Sequence, residues 1–305
     1  MKITMIHNPN AGDDQQPSGD ELLGLIRGAG HTTAYQSSKE ADWDKALKEP
    51  GDLVAVAGGD GIVGKVAKKL IGKPVPIAVL PLGTANNIAK TLDVLDQPLT
   101  QLVDGWVQAR RRKFDVGVAS GPWGSTCFIE GLGMGLFTTT MHRLDARDNI
   151  DLAHASDSEE KLTSVLEILK DRLPSCPAKP LQLTLDGQDL SGEYVLLEAM
   201  NIKSIGPNLH LAPDADPGDG LLDIALLANG EQHQLNSYLS DCIAGKPCSP
   251  DLRVHRGKHL QIVWEGSVIH IDDDVWPDTG SNFSSPSTVI DVNLNPQSLV
   301  FLTPA

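Results

Sequence analysis

In the first third of the chain, apolar residues fall in short runs, each followed by a polar or glycine-rich turn and then by apolar residues at helical spacing. The runs are residues 2–7, 31–36, 53–57 and 77–80; the helical stretches are 18–27, 43–48, 62–70 and the segment carrying Ile88, Ala89 and Leu92. Residues 53–57 are unbroken in their apolar character and too few for a helix, which predicts a strand buried on both faces of a parallel sheet. Residues 99–108 are expected to close this part as a helix. Strand alternating with helix predicts an α/β domain with a parallel sheet over residues 1–112.

From residue 113 the texture changes. Runs at 114–118, 125–130, 181–185, 194–200, 222–227, 259–264, 267–271, 288–292 and 298–302 are separated by Gly, Pro and Asp turns. Many short strands with such punctuation predict a β-sandwich domain over residues 113–305. One helical insertion at 158–172 places Leu162, Val165, Leu166 and Leu169 on one face, as amphipathic packing requires; a lipid-facing role is the alternative.

Two turns stand out. The strand at 53–57 ends in Gly58, Gly59, Asp60 and Gly61, and the strand at 77–80 ends in Pro81, Leu82, Gly83, Thr84, Ala85, Asn86 and Asn87. Glycine tolerates positive φ and lets a ligand approach the backbone, so such turns aim amide groups at a phosphate. In an open α/β sheet ligands sit beyond the carboxyl ends of the strands, so both loops would line one candidate active-site cleft. Residues 59–66 nearly satisfy G-x-x-x-x-G-K-[ST], but Val66 has no hydroxyl for Mg²⁺, which argues against a P-loop. The glycines of Glu130, Gly131, Leu132, Gly133, Met134 and Gly135 alternate and do not follow the dinucleotide fingerprint.

The formal net charge of −15 disfavours nucleic acid as a partner. The one compact basic cluster, Arg110 to Lys113, is read as the cationic end of the preceding helix. Four cysteines without zinc spacing predict free thiols in a reducing cytoplasm. No window approaches the length of a membrane helix, and the N-terminus runs straight into a strand without the pattern of a signal peptide.

The pair of loops, GGDG and PLGTANN, resembles the catalytic domain of the diacylglycerol kinase family, which includes bacterial lipid kinases and sphingosine kinases and is more distantly similar to NAD kinases. Asn8, Pro9, Asn10, Ala11 and Gly12 match the family's opening Asn-Pro-x-Ser-Gly, with Ala11 in place of serine. The family's first loop continues with Thr and then Asn-Glu, where this chain has Ile62, Gly64 and Lys65; its second loop ends Asn-Asp-Phe, where this chain has Asn86, Asn87 and Ile88. The resemblance implies a nucleotide-binding α/β domain followed by a β-sandwich. It also implies ATP held by Asn8, Pro9, Gly58, Gly59, Gly61, Gly83, Thr84, Asn86 and Asn87, with Ser37 or Ser38 near a further contact.

The segment LAPDADPGDGLLD, residues 211–223, is similar to a family turn that holds Mg²⁺, which maps to the Asp219 carboxylate and the carbonyls of Asp216 and Leu221. Asp272, Asp273 and Asp274 align with the family's Asp-Gly-Glu, which puts Asp274 in the place of the general base. Adjacent carboxylates repel, which would raise the proton affinity of at least one of them or prepare a cation site. Asp60 is the other candidate base.

The expected activity is ATP- and Mg²⁺-dependent phosphorylation of a lipid hydroxyl, diacylglycerol-like or sphingoid, by a cytoplasmic protein with peripheral access to the membrane surface. Such a protein can also form a homodimer. Two alternatives remain: a kinase of a soluble acceptor such as NAD, and a catalytically weak nucleotide or lipid sensor, suggested by Ile62, Lys65 and Asn87.

Overall fold

Four of the short apolar runs are strands, β1 (Lys2–His7), β2 (Thr32–Ser37), β3 (Leu53–Gly58) and β4 (Ile77–Pro81), in a computed structural model that describes residues 1–13, 15–146, 157–246, 248–277 and 287–305. They pair in parallel in the order β2-β1-β3-β4. β3 is buried at every residue, as its apolar run requires of a strand covered on both faces. Helices α1 (Gly19–Gly28), α2 (Asp60–Leu70), α3 (Asn87–Thr91) and α4 (Leu99–Gly105) connect or follow these strands. Ser18 starts α1 through a capping box with Glu21, and Leu22 and Ile26 turn the helix inward. The chain runs from β1 to β2 in one direction across the sheet and from β3 to β4 in the other. The strand order therefore reverses between β1 and β3, which is where an open sheet forms a binding crevice.

The remaining strands are β5 (Arg110–Gly121), β6 (Gly124–Phe128), β7 (Gly131–Gly135), β8 (Lys179–Leu185), β9 (Gln188–Asp189), β10 (Gly192–Met200), β11 (Leu222–Ala228), β12 (Arg253–Gly257), β13 (His259–Trp264), β14 (Ile269–Ile271), β15 (Asp274–Trp276) and β16 (Thr288–Thr303). Three helices accompany them, α5 (Leu136–Ala146), α6 (Ser158–Arg172) and α7 (Gln232–Ile243). The chain divides into two compact units, Met1–Asp115 with Pro296–Ala305, and Val116–Asn295.

The structure differs from the sequence expectation in two places. Arg110 to Lys113 open strand β5 and do not end a helix, since α4 stops at Gly105; Arg112 Nη1 donates to the Thr91 carbonyl at 2.8 Å. The end of the chain also returns to the first unit, because the runs at 288–292 and 298–302 are one continuous strand whose Phe301 pairs in parallel with Ile77 of β4. The Phe301 ring packs on Phe114 with centroids 4.9 Å apart, and the Gln297 amide donates to the Asp115 carboxylate at 2.5 Å.

The second unit is two sheets face to face. One runs β6-β5-β16-β13-β8-β9 and the other β15-β14-β7-β10-β11-β12. Phe128, Leu183, Leu260 and Ile290 from the first meet Leu132, Leu197, Ile224 and Ile271 from the second in a shared core with Trp264. On the outer side of the second sheet, α5, α6 and α7 bury Phe137, Leu166, Leu169, Leu235 and Leu239 against Leu196 and Leu227. The apolar face of the expected insertion helix is thus packed on protein at Leu166 and Leu169. Strand β7 and helices α5 and α7 were outside the sequence expectation.

Phe301 is fully buried. Phe301→Ala is expected to lower stability by about 3–5 kcal/mol, read by denaturant unfolding; a loss below about 1 kcal/mol would mean that the returning strand does little to hold the first unit.

Candidate active site

The turns after β1, β3 and β4 start level with one another because the parallel register sets His7 opposite Ala57 and Gly58 opposite Pro81. The Asn8 amide donates to the Ala57 carbonyl at 2.9 Å, and the Leu82 amide to the Gly58 carbonyl at 3.1 Å. A Cβ on Gly83 would stand 2.2 Å from the Gly59 Cα, and one on Gly59 would stand 2.9 Å from the Gly83 Cα. The two glycine loops therefore touch backbone to backbone. A Cβ on Gly58 would strike the Ile62 side chain at 2.4 Å and approach the Asn8 Cβ at 3.3 Å.

Gly58, Gly59 and Gly83 are needed for closeness and not for left-handed backbone, which corrects the sequence expectation. Gly59, the N-cap of α2, has φ −95° and ψ −173°, and Gly58, Gly61 and Gly83 do not have positive φ. Left-handed backbone falls on Gly12 at φ 71° and on Asn86 at φ 55°. Asn86 tolerates it by folding its amide onto Gly83, accepting from the Gly83 amide at 2.9 Å and donating to the Gly83 carbonyl at 2.6 Å.

Asp60 joins the loops. Its carboxylate accepts from the Asn87 amide at 2.8 Å and from the Ile88 amide at 2.9 Å, so it caps α3 from the first turn of α2. Both oxygens are engaged by protein amides. Asn87 is buried, Asn8 and Thr84 are half-buried and Pro9 is exposed. Gly64 and Lys65 lie inside α2 and Val66 is wholly buried, so the near-match to a P-loop is a stretch of helix. Sequence reasoning missed His7, a buried ring at the end of β1 whose Nδ1 lies 3.1 Å from the Tyr35 hydroxyl; burial holds its pKa below the ordinary value.

The other expected site residues belong to the second unit. Asp272 and Asp273 form the two-residue turn between β14 and β15, with Ile271 opposite Asp274. The three carboxylates are not equivalent. Asp272, at φ 51°, turns its carboxylate onto the amides of Ile129 and Glu130 at 3.0 and 2.8 Å, whereas Asp273 and Asp274 are exposed.

In the turn before β11, Asp216 Oδ1 accepts from the Gly218 amide at 3.0 Å and Asp219 Oδ1 from the Leu221 amide at 2.9 Å. Arg256 on β12 pairs with Asp219 Oδ2 and sets its Nε 3.1 Å from Asp223 Oδ1. The Asp223 carboxylate is buried beside the Arg256 guanidinium, and burial pushes its pKa up to about 6 against the pull of Arg256. A buried, underserved carboxylate beside Asp219 suits a hard cation, and here Arg256 supplies the positive charge. Among the described residues no three His, Cys, Asp or Glu side chains converge as a metal-holding group, so a cation at this turn would depend on backbone carbonyls.

Loops at the switch point of a parallel sheet, stitched by the Asp60 carboxylate, form the crevice where an open α/β sheet takes its ligand. Residues 2–119 match the diacylglycerol kinase catalytic domain, and residues 144–299 match the YegS C-terminal NAD kinase beta sandwich-like domain. The chain belongs to the diacylglycerol kinase family. It is 26% identical over 240 residues to a diacylglycerol kinase of Bacillus subtilis (strain 168), covering 74% of this chain and 73% of that one. It is 25% identical over 294 residues to a diacylglycerol kinase of Mycobacterium tuberculosis (strain ATCC 25618 / H37Rv), covering 90% and 88%. A crystal structure of a diacylglycerol kinase from Bacillus anthracis str. Sterne superposes with a TM-score of 0.71 at 21% identity, covering 99% of this chain and 96% of that one. Yeast NADH kinase is a more distant likeness in fold, with a TM-score of 0.51 at 11% identity, covering 100% and 83%. Among the described residues no helix is long and apolar enough to cross a membrane.

Asp60→Ala should free the Asn87 and Ile88 amides and cost about 1–3 kcal/mol of stability, measured by denaturant unfolding, whereas Asp60→Asn, which keeps one acceptor oxygen, should lose less; equal stability of all three proteins would remove the cap. Asp223 supplies a pH test. Its folded pKa lies above the unfolded value, so its contribution to stability is complete below about pH 4 and is lost as pH rises through about 6. Without added divalent cations, Asp223→Asn should melt above the parent at pH 8, and the gap should close as pH falls towards 4. A variant that melts below the parent at pH 8 would mean that the Arg256 pair outweighs burial.

Proposed function

We propose that this protein transfers the γ-phosphoryl group of ATP to the hydroxyl of a lipid, diacylglycerol-like or sphingoid, which it meets at a membrane surface. The observation that carries the nucleotide half is the contact between Gly59 and Gly83 locked by Asp60, because it brings two adjacent loops together at the carboxyl ends of β3 and β4 with no side chain between them. Such loops let phosphate oxygens reach backbone amides, and the N-terminus of α2 favours negative charge. Asn8, Pro9, Gly58, Gly61, Thr84, Asn86 and Asn87 belong to the same three turns. The lipid half is supported by the names of the relatives.

Phosphoryl transfer asks mainly for positioning and neutralisation of charge. Mg²⁺, when bound with the nucleotide, supplies that neutralisation. A second Mg²⁺ would be held by the Asp219 carboxylate and the carbonyls of Asp216 and Leu221, where it would share the negative charge that Arg256 now answers. Asp60 is a poor proton acceptor, since both its oxygens serve the α3 amides. Asp274, exposed on the β14–β15 hairpin, is therefore the general base that takes the proton of the lipid hydroxyl.

Labelled ATP and Mg²⁺ with a panel of lipids in detergent micelles should yield a phosphorylated lipid. Label on NAD or a soluble alcohol alone would replace the lipid with a soluble acceptor, and ATP binding without any product would make the protein a sensor. Asp274→Asn should lower kcat by about 10²- to 10⁴-fold with ATP affinity nearly intact, and Asp274→Glu should keep much more of the rate. An Asn variant as fast as the parent, or one that loses ATP binding in proportion to rate, would exclude Asp274 as the base.

A further inference from the structure

The alternating glycines at 131–135 make up strand β7, and one of them underlies a polar row in the middle of the second sheet. Gly133 of β7 lies opposite Glu198 of β10 on one side and opposite His270 of β14 on the other. Over the bare glycine the two neighbours meet, with His270 Nε2 2.8 Å from Glu198 Oε2. A Cβ on Gly133 would stand 2.0 Å from that oxygen. Both side chains are fully buried, and the Phe137 ring closes edge-on over the imidazole with centroids 5.1 Å apart. A buried ionisable pair is costly unless it serves specificity or function, and no role described above uses this one.

The other ring nitrogen shows where the pair acts. His270 Nδ1 lies 3.1 Å from the carbonyl oxygen of Asp272. A carbonyl only accepts, so Nδ1 carries a hydrogen. A second proton lies between Nε2 and the Glu198 carboxylate, whichever of the two holds it. Burial raises the Glu198 carboxyl. Burial alone would lower the His270 ring, but the Glu198 carboxylate and the Asp272 carbonyl outweigh it and raise the ring. In either distribution of that proton, Nδ1–H continues to donate to Asp272.

We infer that His270, held by Glu198 over Gly133, is a positioning residue for the β14–β15 hairpin and so for the carboxylate of Asp274. Asp272 is grasped from two sides, its carboxylate by the Ile129 and Glu130 amides and its carbonyl by His270, while its own amide donates to the Gly131 carbonyl at 2.9 Å. With the turn held in left-handed backbone at Asp272, Asp274 follows in register opposite Ile271. The catalytic part of this inference rests on Asp274 being the base.

Two substitutions divide the ring between its partners. Asn carries its amide nitrogen near the place of Nδ1, whereas Gln reaches towards the place of Nε2. His270→Gln should lower kcat by about tenfold or more with KM for ATP within about twofold, and should speed hydrogen exchange at the Ile129 and Glu130 amides by a similar factor. His270→Asn should keep most of the rate and the protection. A Gln variant that behaves as the parent would overturn the inference. Equal losses in both variants would reduce the pair to packing and overturn it too.

The histidine ¹⁵N shifts of the parent protein provide a measurement that needs neither variant nor turnover. They should show a protonated His270 Nδ1 between pH 6 and 9, and a bare Nδ1 would overturn the inference. If Asp274→Asn turns over like the parent, the assignment of the base has failed. The catalytic part of the inference then falls with it, and the exchange and ¹⁵N results still decide whether His270 holds the turn.

Discussion

The candidate nucleotide site depends on two strands of backbone lying against each other without a side chain between them. Where Gly59 meets Gly83, even a methyl group would overlap main-chain atoms, which cannot move aside without shifting β3 or β4. Those strands are fixed by burial, β3 along its whole length and β4 at Ile77, Ala78, Val79 and Leu80. The hydrophobic core thus sets the level of the loops, and the glycines let the loops close on each other. Only then can the short Asp60 side chain reach the amides at the start of α3, a helix of one turn that has little means of holding its own terminus.

Much of the first unit could be read from the chain. Strands β1 to β4 are short apolar runs, and burial in a parallel sheet leaves such runs few other conformations. The loops were equally visible as glycine and asparagine clusters at strand ends. What could not be read was the use of each residue. GGDG looks like a left-handed turn, yet Gly59 is there for contact across 24 positions of sequence with Gly83. Asp60 looks like a free carboxylate, and its partners on the second loop appear only once both loops are in place. Asp272, Asp273 and Asp274 are alike on paper, and only the left-handed backbone at Asp272 separates the inward carboxylate from the exposed ones. Arg256 lies far from the LAPDADPGDGLLD turn in sequence and reaches it only because β12 pairs with β11.

The second unit uses glycine in the same way for different ends. Gly117 on β5 lies opposite Phe128 on β6, whose ring covers the place a Cβ would take, so the missing side chain lets an aromatic lie flat on the sheet. Gly133 lets an acid and a base meet across the strand that separates them. Strand β7 escaped notice for this reason. A segment with glycine at every second position has low strand propensity, and it is a strand because its neighbours need the space above it.

The return of β16 to the first unit makes the second unit an insertion within the first. As a ribosome makes the chain, β1 to β4 emerge first, but the strand that lies beside β4 emerges only after the whole second unit. The second unit can be complete while the edge of β4 is still waiting, and an unpaired parallel edge is a template for the wrong partner. Closing the first sheet then requires contacts between distant parts of the chain, the kind that form slowly. Folding of the first unit in this way waits on a strand that follows the whole second unit in the chain.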